Sequence, residues 1–240
     1  MIQGTLNTAA TQFESRGMQC QRGGSAEETK LFIERSQVRV KIEANYVFRG
    51  SVIPVALRPL CEKAQSEFFT DIELPLLQPD EIYGSKLVSA MDRQHPRDLF
   101  DVLGMYESVG LTADIVECFV AYLAGHNRPI HEVLFANQLD LTQAYQNEFI
   151  GMTEHAVSLD QLLEARSRLF EELPRSLTDN HRQFLLSLVK GEPDWALMAC
   201  PHLQQLPAIR WKLGNLERLK TANRNKFNAQ YRELEERLSG

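Results

Sequence analysis

At Pro79 the hydropathy pattern changes period, and this change restricts the fold more than any composition value. Ahead of it, apolar residues alternate in short stretches; beyond it, they recur at helical spacing almost to the end of the chain. A period of two buries one face of a strand, and a period near 3.6 buries a stripe of a helix. The expected fold class is therefore α+β: a small piece over residues 1–78 with a mixed or antiparallel sheet, then a mostly α-helical region over 79–240.

Within the first piece, Ile2, Leu6, Ala9, Ala10 and Phe13 have helical spacing, and Arg22–Ser25 reads as a loop. LFIER and VRVKIEANYVF, separated by Ser36-Gln37, read as a hairpin. In its second strand Val38, Val40, Ile42 and Ala44 point one way, and Arg39, Lys41, Glu43 and Asn45 the other. SVIPVAL is extended, and ELPLL (73–77) reads as another short strand.

In the helical region Asp80 is the expected N-cap of a helix to about Arg93, and Pro96 opens a second one. Further helices fit 112–124, 141–149, 158–172, 178–190 and a broken 206–238, with Thr112, Ser158 and Thr178 as start signals. Trp211, Leu213, Leu216 and Leu219 are assigned to the core, and HNRP (126–129) to a helix–helix turn.

The formal net charge of −6 argues against a broad basic face for duplex nucleic acid, while leaving room for a local phosphate pocket. Four scattered cysteines form no CxxC pair, and neither His126/His131 nor His181/His202 has the i,i+4 spacing of a zinc helix. No basic and apolar leader opens the chain, and no apolar run approaches the ~20 residues of a membrane span. A cytoplasmic protein with no membrane partner is expected.

The chemistry concentrates in residues 84–106, GSKLVSAMDRQHPRDLFDVLGMY. Lys86, Ala90 and Arg93 share a helix face, and Arg97 adds a third cation after His95-Pro96. A small residue at Ala90 would let a ligand approach closely. Lys as a point charge and Arg as a bidentate clamp suit a triphosphate. Asp98 and Asp101 are placed to orient an arginine or to act on a sugar hydroxyl or metal, and Glu43 is a second carboxylate candidate, as a magnesium ligand. The ordinary reading stands beside this one: acids in a first turn favour the helix dipole, and Arg97–Asp101 is a common i,i+4 pair on a solvated face.

Five blocks carry a resemblance: VKIEANYVFRGSV (40–52), DEIYGSKLVSAMDRQHPRDLFDV (80–102), YLAGHNRPIHEVLF (122–135), EFIGMT (148–153) and LPAIRWKLGNL (206–216). Together they resemble the AbiEii/AbiGii toxin family, within the polymerase-beta-like nucleotidyltransferase superfamily. The resemblance implies a partial nucleotidyltransferase-like sheet followed by a helical C-terminal part. It implies a toxin of a toxin–antitoxin or phage-defence pair that binds a nucleoside triphosphate with Mg²⁺ and transfers a nucleotide, in some relatives to tRNA. Carried over by position, Lys86, Asp98 and Asp101 are the catalytic candidates, Lys86, Arg93 and Arg97 the nucleotide-binding ones, and Glu43 the metal ligand.

The sequence departs from the family at its start. The family's Gly-Gly-Ser/Thr and Asp-x-Asp motifs are not matched: RGGSAEET (22–29) lacks the apolar helix that should follow, and Asp71-x-Glu73 comes after Glu43 instead of before it. Aligned on the later blocks, Met1 falls past both motifs. The chain alone is therefore expected to be inactive in transfer; the alternative is a truncated relative that binds a nucleotide or a partner without catalysis. A sheet edge exposed near residues 30–48 is expected to favour homo-oligomers, and a cognate antitoxin is an expected partner.

Overall fold

The chain is described from a computed structural model over residues 2–23, 30–44 and 50–239. Two compact units emerge, Met1–Arg49 and Gly50–Gly240. The change from strand to helix falls inside the second of them, at Pro79.

In the first unit, helix α1 (Ile2–Glu14) precedes an antiparallel sheet of β1 (Gln19–Gly23), β2 (Lys30–Arg35) and β3 (Val38–Glu43), in that order. Leu6, Ala9, Ala10 and Phe13 of α1 pack with Leu31, Ile33 and Ile42. Strand β1 was not expected, since Arg22 and Gly23 read as loop; pairing with β2 makes them its end. The rest of the GGS stretch lies outside the described residues. The alternation of β3 holds, but only Ile42 is covered: α1 packs on β1 and β2, which leaves Val38 67% and Val40 52% exposed.

In the second unit, β4 (Ala56–Pro59) and β5 (Glu73–Leu76) pair antiparallel around helix α2 (Glu62–Phe68). Among the described residues nine α-helices follow: α3 (Pro79–Arg93), α4 (Pro96–Ser108), α5 (Ala113–Ala124), α6 (Ile130–Leu134), α7 (Thr142–Glu148), α8 (Leu159–Arg175), α9 (Asp179–Val189), α10 (Pro207–Ala222) and α11 (Arg224–Ser239). Thr112, Ser158 and Thr178 cap α5, α8 and α9 through their hydroxyls, the last two in full capping boxes. Helix α3 starts earlier than expected: Gln78 is its N-cap, Pro79 occupies the first turn, and Asp80 sits inside it. At Asn223 the backbone leaves helical geometry, and its Oδ1 accepts the Lys226 N–H, which breaks α10 from α11.

Helix α3 packs on α5 and α4, and α4 packs on α8. Leu87, Met91, Leu99, Met105, Phe119 and Leu162 are buried where these helices meet. Gly84 allows the closest approach: a Cβ there would lie 2.6 Å from Cys118 Cβ and 2.7 Å from the Phe119 nitrogen. Ala90 is also buried, so its small side chain serves α3's packing, and not the approach of a ligand. In α10 Leu216 is buried as expected and Leu213 and Leu219 are half-buried, but Trp211 is 44% exposed, while its neighbour Lys212 is 5% exposed and donates to the Arg128 carbonyl at 2.6 Å. Among the described residues, no helix is long and apolar enough to cross a membrane.

Candidate functional site: the α3–α4 ionic face

Helix α3 ends in a pinned reversal. Gln94 takes a left-handed φ of 51° and is 1% exposed. Its amide donates to the Asn137 carbonyl at 2.7 Å, and its oxygen accepts from Leu139 N at 3.0 Å and Arg166 Nη1 at 3.2 Å. A backbone forced through this conformation needs such partners, because a non-glycine residue there carries a steric cost. His95 then caps α4, and Pro96 enters where a missing N–H costs nothing.

The reversal lays α4 back along α3 and creates two ionic rungs. Lys86 Nζ meets Asp101 Oδ2 at 2.5 Å, and Arg93 Nη2 meets Asp98 Oδ1 at 2.6 Å. The rungs differ in burial. Lys86 and Asp101 are both about one-third exposed, whereas Arg93 is 63% exposed and Asp98 12%. The second Asp98 oxygen, Oδ2, is buried and has no hydrogen-bond partner. Among the described atoms of Lys86, Arg93, Arg97, Asp98 and Asp101, this oxygen is the one buried side-chain polar atom without a hydrogen-bond partner.

Arg97 is held differently. Its backbone N–H and its Nε both donate to His95 Nδ1, at 3.2 and 3.4 Å. Nδ1 is thus the nitrogen turned to Arg97, and Nε2 faces Glu148 Oε2 at 3.1 Å. Among the described residues Arg97 makes no salt bridge; the i,i+4 pairing with Asp101 is replaced by the Lys86–Asp101 rung. Arg93, His95, Arg97 and Asp98 line an open cleft of about 380 Å³. Lys86 and Asp101 form the adjacent rung and are not among the residues lining it.

Five of the six expected residues, Lys86, Arg93, Arg97, Asp98 and Asp101, thus gather on one hairpin. Glu43 belongs to the first unit. There it pairs with Lys41 at 3.0 Å and with Lys30 at 3.5 Å across the β2–β3 register. The hydrogen bond from Lys41 holds its carboxyl below the usual carboxylate range. Asp71 and Glu73 are exposed at the start of β5.

These donor sets do not fit a magnesium ion. Hard oxygen sites need several convergent carboxylates, and among the described residues no three His, Cys, Asp or Glu side chains come together to hold a metal. Glu43, Asp98 and Asp101 each already face a cation. Three of the four histidines named for zinc find other partners: His126 lies 3.4 Å from Asp92, His181 2.8 Å from Glu117, and His202 donates to the Ser51 carbonyl at 2.7 Å; burial lowers the pKa of the fourth, His131.

His95, Glu148 and Gln94 are site residues that pattern reasoning missed. His95 precedes a proline at a helix start, which is a legible capping position. Glu148 lies 53 residues from His95, and no local signal joins them.

A family model described as "Nucleotidyl transferase AbiEii toxin, Type IV TA system" matches residues 3–215. No curated protein and no solved structure matches the chain.

Proposed function

The chain belongs to the AbiEii nucleotidyl transferase toxin family of type IV toxin–antitoxin systems, and from that premise we propose that its α3–α4 face binds a nucleoside triphosphate. The observation that supports this reading is one cleft shared by Arg97, which makes no salt bridge among the described residues, and a buried Asp98 with one unpartnered oxygen. Arg93 and Arg97 take phosphate oxygens, Lys86 adds a point charge from the neighbouring rung, and Asp98 Oδ2 accepts from a ligand hydroxyl. Asp98 also orients Arg93, and Asp101 orients Lys86.

The reaction expected of the family member is attack of an acceptor hydroxyl on the α-phosphorus, with pyrophosphate leaving; RNA such as tRNA is the proposed acceptor. Magnesium accompanies the triphosphate in this proposal, and no step is assigned to it, because the described carboxylates form no site for it. Binding is the step these residues support by themselves. The purified chain alone is therefore expected to label no RNA with an α-labelled triphosphate, and strong labelling would replace this assignment with full transfer. A cognate antitoxin is the proposed protein partner, the cytoplasm the proposed location, and self-association at the exposed β3 edge the proposed oligomeric contact. A concentration-independent monomer in light scattering would remove that last element.

Calorimetric titration of ATP into the wild-type chain and Lys86→Ala tests the nucleotide reading. The variant should bind about ten-fold more weakly, which is the order expected for one lost charge-assisted contact. Equal affinity in the two proteins would remove Lys86 from the site.

A further inference from the structure

The surface of α4 that carries Arg97 also carries an exposed aromatic ring. Phe100 follows Arg97 by three residues, which makes the two side chains surface neighbours, and Phe100 is 40% exposed. At about 100° per residue, Phe100 flanks Arg97 on one side and Asp101 flanks it on the other. Ring, guanidinium and carboxylate therefore follow one another around the helix.

Two consecutive residues at the end of α7 brace this pair. Glu148 Oε2 lies 3.1 Å from His95 Nε2, and the opposite nitrogen of that ring accepts from Arg97 Nε at 3.4 Å. Phe149 is 3% exposed, and its ring centroid lies 5.9 Å from that of Phe100 at an interplanar angle of 54°. Tyr145 supports Phe149 in turn, with centroids 5.7 Å apart. An isolated surface phenylalanine needs no explanation. This one is backed by a buried aromatic and sits beside a cation that makes no salt bridge among the described residues.

An aromatic face beside a guanidinium matches a nucleotide's own two parts. Each base has a π-face that stacks, and each phosphate accepts a guanidinium fork. A bare polyphosphate engages the cation alone.

Resting on the reading of the α3–α4 cleft as a phosphate site, we infer that Phe100 is the base-stacking residue of that site, which makes its ligand a nucleoside triphosphate and not an inorganic polyphosphate. The base lies against Phe100, and the phosphates run along Arg97 toward Arg93. The α7 end holds both platforms in place through Glu148 and Phe149.

The test compares ATP with inorganic tripolyphosphate, by calorimetric titration into the wild-type chain and Phe100→Leu. The wild-type protein should prefer ATP by about ten-fold or more, the order of one stacked base. Phe100→Leu should lose that preference while its tripolyphosphate affinity stays unchanged. Equal wild-type affinity for the two ligands, or a preference retained in Phe100→Leu, overturns the base subsite and leaves the phosphate reading standing. Binding of neither ligand overturns the phosphate reading and the subsite with it. A second variant, Phe100→Trp, keeps a stacking face and adds an emitter at the site. Its fluorescence should change with ATP and not with tripolyphosphate; an identical response to both overturns the subsite independently of how the leucine variant folds.

Discussion

Arg93 Nη2 lies 2.6 Å from Asp98 Oδ1, while the other oxygen of the same carboxylate is buried and accepts nothing. In the proposed site this one carboxylate has two roles: one oxygen fixes the guanidinium proposed to take a phosphate, and the other is the acceptor proposed for a ligand hydroxyl. Because the two functions share one group, Arg93→Ala and Asp98→Ala should be strongly non-additive in ATP affinity. A double-mutant cycle should return a coupling of about 1 kcal/mol or more. The stability effect of breaking the rung should stay near 1 kcal/mol, since Arg93 is largely exposed. Additive losses in ATP affinity would mean that Asp98 does not act through Arg93.

Glu81 anchors the start of α3 to the segment before β4. It is fully buried and accepts from Val52 N at 2.7 Å, Ile53 N at 3.0 Å and the Tyr122 hydroxyl at 3.1 Å. Glu81→Ala removes the acceptor from two backbone N–H groups at once, and should cost about 3 kcal/mol or more in denaturant unfolding. Tyr122→Phe removes a single donor and should cost about 1 kcal/mol. Equal small effects from the two variants would show that water replaces the carboxylate.

Gly84 meets the backbone of α5, so Gly84→Ala pits helix propensity against a clash. Alanine favours a helix interior by about 1 kcal/mol. Its Cβ would sit 2.7 Å from the Phe119 nitrogen, which is main chain and cannot swing aside. The clash should win by about 1–3 kcal/mol, seen as a lower Tm. A higher Tm would mean that α3 and α5 separate at little cost.

Lys212 carries a pH dependence on the alkaline side. Burial pushes its ammonium down to about 8, against the opposing pull of Glu132. A lysine whose folded pKa lies below its unfolded value of 10.5 binds fewer protons when folded across that interval. Stability therefore rises with pH between about 8 and 10.5, and the burial penalty is fully present below that window. The difference in unfolding free energy between wild type and Lys212→Met should shift by roughly 3 kcal/mol over the window, in favour of the wild type as pH increases. A constant difference would show that Lys212 keeps its proton until its ordinary pKa.

Much of this architecture is legible in the chain, and the part that is not has a common cause. Thr112, Ser158 and Thr178 announce their helices because a cap is a contact over three residues. The β2–β3 hairpin and the charged α3–α4 hairpin are equally local. Strand β1 and helix α2 are short and weakly patterned, and β1 forms because β2 offers it a ladder. Lys212 instead of Trp211 turns inward because the Arg128 carbonyl, 84 residues away, meets its ammonium. Within the site, the cations and acids stand out in sequence, but their pairing depends on the reversal at Gln94, which is held by Asn137, Leu139 and Arg166. Glu148 and Phe149 reach the site from a separate helix end, so their part in it depends on tertiary packing alone.

The nucleotide site is tested most sharply by the affinity of ATP for the wild-type chain and for Arg97→Ala, measured by titration calorimetry alongside thermal unfolding. Arg97 is exposed and makes no salt bridge among the described residues, so its removal should leave Tm unchanged. The wild-type protein should bind ATP, and the variant should bind it about ten-fold or more weakly. Absence of wild-type binding, or equal affinity in the two proteins, would remove the Arg97 cleft from the proposed function.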